Sequence, residues 1–227
     1  MSESNSREIV VPGDLLSDSP DLRAGTGTFR ENGRIYAAQI GIKNIRGNYV
    51  NVVPLAGKYL PKAGDMVIGV IIEIGPSNWL LDINCPYPAP LHVNDVPWRV
   101  DFGDTARYLN IGNSVLVKVL KVDETKRIQL TLKEQGLRKL TSGRIIEIPH
   151  SKVPRVIGKS GSMISLLKNY TNTRIFVGQN GRIWIDGEPD DIRLAVEAIN
   201  MIDREAHVLG LTDRVKEFLE SKKKIES

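Results

Sequence analysis

The ten residues Arg155-Val156-Ile157-Gly158-Lys159-Ser160-Gly161-Ser162-Met163-Ile164 combine two glycines, a lysine and two hydroxyls in the manner of a loop that grips phosphate. Glycines let the main chain turn tightly and let phosphate oxygens approach with no β-carbon in the way. A helix opening at the second glycine aims free N–H groups and the positive end of its dipole at the same place. The Gly158-Lys159-Ser160 triplet raises the question of a nucleoside triphosphate. A Walker loop, G-x-x-x-x-G-K-[ST], needs its first glycine where Val153 stands, and an apolar strand where Pro149-His150-Ser151-Lys152-Val153-Pro154 stands. The spacing points away from an ATPase and toward phosphates of another kind.

Charge narrows the ligand. The chain has a net charge of +4, unevenly spread: residues 136–182 carry nine Lys/Arg against one acid, Glu147, whereas 183–227 carry seven against eleven and 63–135 seven against nine. A basic segment centred on a glycine loop is the electrostatic footprint of a polyanion. Lys159 supplies a mobile cation at the tip, and Lys152, Arg155 and Arg174 lie close in sequence or in the expected fold. With Gly158, Ser160 and Gly161 they form the candidate phosphate contacts, which align a strand without reading its bases.

Other chemistries lack their parts. His92, His150 and His207 fall in different segments without metal-ligand spacing. Ser160 and Ser162 have no histidine nearby in sequence to activate them, and Asp190-Asp191 reads as helix-start charge rather than a metal site. The one cysteine, Cys85, excludes an intrachain disulfide and a Cys-based zinc cage. No cofactor and no enzymatic activity are expected. No apolar run approaches membrane-spanning length, and Met1-Ser2-Glu3-Ser4 has no signal-peptide pattern, so the expectation is a cytoplasmic protein without a membrane partner.

The elements that must position these residues fall into three blocks, giving a multidomain reading. Residues 1–62 open on a polar stretch, 1–8, read as disordered, followed by short strands broken by Gly13-Asp14, Asn32-Gly33 and Gly47-Asn48 turns: a small all-β domain. Residues 63–136 hold five strands, from "MVIGVIIEIG" to "RIQLTLK", the count of a closed OB-type β-barrel. Residues 137–227 read β-α-α-β-β-α, an α+β domain followed by a last helix over Thr212–Lys222. Its helix over Ile192–Ile202 is set by apolar recurrence at i, i+3, i+4 and i+7, and its hairpin by Asn180-Gly181.

In that third block the stretch "VIGKSGSMI" resembles the V-I-G-K-x-G-x-x-I signature of type-I KH domains, whose G-x-x-G loop clamps the backbone of about four nucleotides. The middle block, through its close "VKVLKVD…RIQLTLK", resembles the RNA-binding barrel of the ribosomal protein S1 type. That resemblance implies Trp79 as a stacking platform, with His92 and Arg127 on the same barrel face. The residues themselves leave Trp79 equally open to the core, His92 to a turn and Arg127 to pairing with Asp123 across its turn. A long insert, Val96–Asn110, departs from the S1 pattern and is open to RNA or to a partner protein. On the hairpin of the third block, Phe176 and Trp184 are open to core packing or to contact with the barrel or another subunit. Taken with "VPGDLL", "AGTGTF" and "NVVPLAGKYLPKAGDMVIGVI", the order of β domain, S1-type barrel and KH domain resembles the RNA-binding cap subunits of the archaeal exosome over nearly the whole chain. The resemblance implies a noncatalytic binder of single-stranded RNA. It also implies three caps, identical or mixed, on a hexameric ring of 3′–5′ exonuclease subunits, with the N-terminal domain on the ring. The alternative is an S1/KH transcription elongation or termination factor, whose N-terminal part is helical and which carries two KH domains.

Overall fold

The computed structural model describes residues 8–54, 57–206, 208 and 210–225, with side chains through Lys222. The disorder expected for 1–8 falls, except at Glu8, outside the described residues, as does His207. Glu8 itself is held to the first sheet, its carbonyl accepting from the Lys43 N–H at 2.9 Å.

The chain divides into two compact units, Met1–Gly57 and Lys58–Ser227. The first is all β. Strands β1 (Ile9–Val10), β3 (Arg23–Ala24), β6 (Gly41–Arg46) and β7 (Tyr49–Pro54) form one sheet in the order β1-β6-β7-β3. Strands β2 (Leu15–Ser17), β4 (Thr28–Glu31) and β5 (Arg34–Ala37) form another in the order β2-β5-β4. Val10, Leu16, Ile35, Ala37, Val50 and Val52 make its core, and Asn32 (φ 50°) with Gly33 (φ 81°) supplies the doubly left-handed turn that a two-residue hairpin requires.

The second unit joins barrel to KH domain. Strands β8 (Met66–Ile74), β9 (Asn78–Asp82), β10 (Ala89–His92), β11 (Ser114–Val122) and β12 (Ile128–Thr131) run in the order β10-β9-β8-β11-β12. The two edge strands approach through the turn after β10: the Leu132 N–H donates to the Asp95 carbonyl at 2.8 Å, and the Thr131 hydroxyl to the same oxygen at 3.2 Å. The expected borders shift by a few residues. Tyr59 belongs to the barrel core, so the second unit begins ahead of Lys62, and β13 (Arg138–Leu140), assigned from sequence to the third block, pairs with β11.

The KH domain places the antiparallel sheet β14 (Arg144–Glu147), β16 (Arg182–Asp186), β15 (Arg174–Val177) against helices α1 (Val153–Ile157), α2 (Ser162–Thr171) and α3 (Pro189–Arg204), with α4 (Leu211–Ile225) packed on α2 and α3. One core runs from Val156 and Leu167 through Ile183 and Ile185 to Ile199 and Leu219. The central strand β16 is buried throughout because the helices cover one of its faces and the barrel the other. Ile183 and Ile185 face the helices, while Trp184 joins Ile68 and Leu116 of the barrel in a separate cluster flanked by Phe176. Of the readings open for Trp184 and Phe176, packing against the barrel is the one realised.

Candidate nucleic-acid interface

The loop Gly158–Gly161 joins α1 to α2 through three residues of positive φ: Gly158 at 75°, Ser160 at 52° and Gly161 at 80°. The Gly158 N–H closes α1 on the Pro154 carbonyl at 2.9 Å, and the Gly161 N–H returns to the Gly158 carbonyl at 3.2 Å. The two glycines are required for different reasons. A β-carbon on Gly158 would lie 2.6 Å from the Met163 nitrogen, whereas one on Gly161 would meet nothing closer than 3.9 Å, so only the backbone angle demands glycine there. Ser160 in the left-handed region is a strained position, and such positions cluster at binding sites.

Helix α2 follows at once. Gly161 provides no side-chain cap and no acid stands in the first turn, so the initial N–H groups and the positive dipole end are left for an external anion. Helix α3 is the internal contrast, with Asp190 and Asp191 in its first turn. Lys159 and Ser160 are exposed at the tip.

The structure brings fewer cations to this loop than the sequence offered. Lys152 turns to the end of α3, where its ammonium meets the Asp203 carboxylate at 2.7 Å and the Asp203 carbonyl at 2.8 Å. Arg155 donates through Nε to the Ala206 carbonyl at 2.7 Å. Both therefore satisfy carbonyls at the close of α3, as basic side chains at a helix C-terminus do, and brace α1 against it. Arg174 follows the far end of α2, about 15 Å along the helix from the loop, and is ion-paired with Asp186. Hydrogen bonds from Ser142 and Arg174 hold the Asp186 carboxyl below the ordinary range. Lys159 remains the cation at the tip.

The barrel face is rearranged more deeply. Trp79 is 0% exposed, with its indole N–H on the Leu109 carbonyl at 3.1 Å, so it cannot stack a base. Its place in β9, alternating with Leu81 toward the interior, makes it core. His92 is exposed, but its Nδ1 accepts the Asn94 N–H at 3.1 Å, and it shares a shallow groove with Asp95, Gln129 and Ile128. Arg127, exposed just before Ile128, has its own N–H on the Asp123 carboxylate at 2.8 Å. The insert Val96–Asn110 folds onto the barrel: Val96 and Leu109 enter the core and Trp98 stacks on Tyr108 at 5.8 Å.

Sequence reasoning missed the polar clasp between the two domains. Asn180, 0% exposed, donates through Nδ2 to the carbonyls of Ile68 at 2.8 Å and Ile83 at 2.9 Å. Arg182 donates to the Asp82 carboxylate at 2.5 Å, the Asp82 carbonyl at 2.6 Å and the Glu147 carboxylate at 2.7 Å. Burial alone would raise the Asp82 pKa, but the bonds from Arg182 and the Asn84 N–H outweigh it and hold the carboxyl below its usual range. The available signal was a second glycine pair at G-x-x-G spacing, Gly178 and Gly181.

Comparison with known proteins agrees with this anatomy. Residues 7–56 match the exosome RNA binding protein RRP4 N-terminal domain, residues 58–105 the RRP4 S1 domain, and residues 143–201 the KH domain. Exosome complex component Rrp4 of Thermoplasma volcanium is 50% identical over 213 residues, covering 94% of this chain and 90% of its own. The Methanosarcina acetivorans protein of the same name is 48% identical over 217 residues, covering 96% and 83%. The chain belongs to the Rrp4 family. A crystal structure assigned to an exosome complex RNA-binding protein superposes with a TM-score of 0.69 at 40% identity, covering 75% of this chain and all of that one. Among the described residues no helix is long and apolar enough to cross a membrane, and no group of three or more His, Cys, Asp or Glu is placed to hold a metal ion.

Proposed function

We propose that this Rrp4-family chain is a noncatalytic RNA-binding subunit of an archaeal-type exosome, taking up single-stranded RNA and passing it to a phosphorolytic 3′–5′ exonuclease ring. The observation that carries the reading is the exposed Gly158–Gly161 loop, with Lys159 at its tip and an uncapped, acid-free helix start behind it. That arrangement offers a polyanion backbone N–H groups, a dipole and a cation in one place. Family membership supports the remaining parts: ring subunits as partners, three caps per ring and the N-terminal β domain as the ring contact.

The full chain is expected to bind single-stranded RNA with an affinity that falls as salt rises, since neutralised phosphates release counterions. It should release no nucleotides when phosphate and magnesium are supplied; phosphorolysis by the pure chain removes the noncatalytic assignment. Affinity capture from native lysate should bring down exonuclease ring subunits, and recovery of RNA polymerase instead would favour the transcription-factor reading.

A further inference from the structure

The sheet face of the KH domain that turns away from its helices meets the barrel along a groove of ≈ 390 Å³. Leu116, Phe176 and Trp184 give it apolar walls, and Arg138, Lys168 and Arg174 also line it; no carboxylate does among the described residues. Asp186, the nearest acid in sequence to this strand face, is already neutralised by Arg174. The groove therefore pairs flat apolar surface with positive charge.

Arg138 is the informative member. Its guanidinium carbon lies 5.2 Å from the centre of the Trp184 ring, and that indole is itself tied by its N–H to the Ser142 carbonyl at 2.7 Å. A guanidinium supported on one side by a fixed ring loses little freedom when a second planar group stacks on its other side. Nucleobases stack on arginine planes and on aromatic rings alike. Lys168 is exposed, and among the described residues no carboxylate lies within ion-pair distance of it. It is also reached from the glycine loop without a break: Ser162, Ser165 and Lys168, three residues apart, are all exposed along α2, which begins at the loop and ends beside the groove.

We propose that this seam groove is a second single-stranded RNA subsite, in which Arg138 stacks a base and Lys168 holds a phosphate of the strand leaving the Gly158–Gly161 loop. The proposal rests on the loop reading above and extends it along α2. It makes binding length-dependent, because the loop alone spans about four nucleotides.

The test uses the full chain and fluorescein-labelled single-stranded RNAs of about four and about ten nucleotides, titrated at several salt concentrations. Lys168→Glu and Arg138→Gln should weaken the longer RNA by about tenfold and leave the shorter one unchanged. Lys168→Glu should also reduce the magnitude of the salt slope for the longer RNA by about 0.7, one phosphate contact on a single strand. Lys168→Arg should restore affinity, and unfolding temperature should not move in either Lys168 variant. Lys159→Glu should weaken both lengths. If the longer RNA is indifferent to Lys168→Glu while Lys159→Glu weakens it, the subsite is wrong and the loop reading stands. Equal loss on both lengths from Lys168→Glu also overturns the subsite, since it reports only a change in overall field. If Lys159→Glu is harmless at both lengths, it is the loop reading that fails.

Discussion

Gly158-Lys159-Ser160-Gly161 and Gly178-Gln179-Asn180-Gly181 share their glycine spacing and lie in the same domain, yet their third residues, Ser160 and Asn180, meet opposite surroundings. The first loop leaves Lys159 and Ser160 in solvent. The second closes the β15–β16 hairpin, with the Gly181 N–H on the Gly178 carbonyl at 3.0 Å, and pushes Asn180 into the barrel. There the side-chain amide accepts the Ile68 N–H at 3.4 Å and donates to the carbonyl of the same residue, doing for the edge of β8 what another strand would do. A glycine pair thus supplies only a tight turn. Whether the turn binds a ligand or a neighbouring domain depends on what the fold sets against it.

The comparison can be broken at the buried loop first. Removing either polar clasp residue should give the largest loss of stability. Arg182→Ala removes a buried guanidinium from the Asp82 carbonyl and from two carboxylates that are 42% and 56% exposed and regain water, at a cost of about 2–4 kcal/mol. Asn180→Ala strands buried carbonyls for about 2–4 kcal/mol. Urea unfolding measures both, and a loss below about 1 kcal/mol for either would mean the domains do not depend on this clasp.

At the exposed loop the glycines separate. Gly158→Ala should destabilise by about 2–3 kcal/mol, combining an unfavourable angle with a clash against the Met163 backbone, while Gly161→Ala should cost about 1 kcal/mol from the angle alone. Equal costs in thermal unfolding would contradict the contact difference. Aspartate at both glycines is accordingly an unsuitable probe of binding, because Gly158 has a folding role.

Lys159→Glu sharpens the comparison from the functional side. With the side chain exposed, unfolding should be unchanged, and single-stranded RNA should bind about tenfold more weakly. The smallest effect is expected from pH. Asp82 and Asp186 have folded-state pKa values below the ordinary carboxylate range, so their contribution is complete above about pH 4 and is lost as pH falls through the folded values. Stability of the barrel–KH unit should decline on acidification below about pH 4, and Arg182→Ala should flatten that decline.

Much of this was legible from residues close together in the chain. Alternation and helical recurrence marked the strands and helices, Asn32-Gly33 specified its own turn, and the glycines of 158–161 announced a loop between two helices. These are short-range matters of backbone angle and side-chain period, and the sequence carries them locally. The same locality misled at Trp79, whose aromatic type suited a stacking platform while its place in the alternation with Leu81 made it interior.

The sequence by itself determined three blocks, two of them resembling RNA-binding modules, their order, and a glycine loop between two helices, because each follows from patterns a few residues long. Only the tertiary structure decided which charges are available to a ligand. Lys152 reaches an acid 51 residues away and Arg182 one 100 residues away, and no local pattern specifies such pairings. Charge counted along a chain becomes charge offered to RNA only after the fold has spent part of it on its own carbonyls and carboxylates.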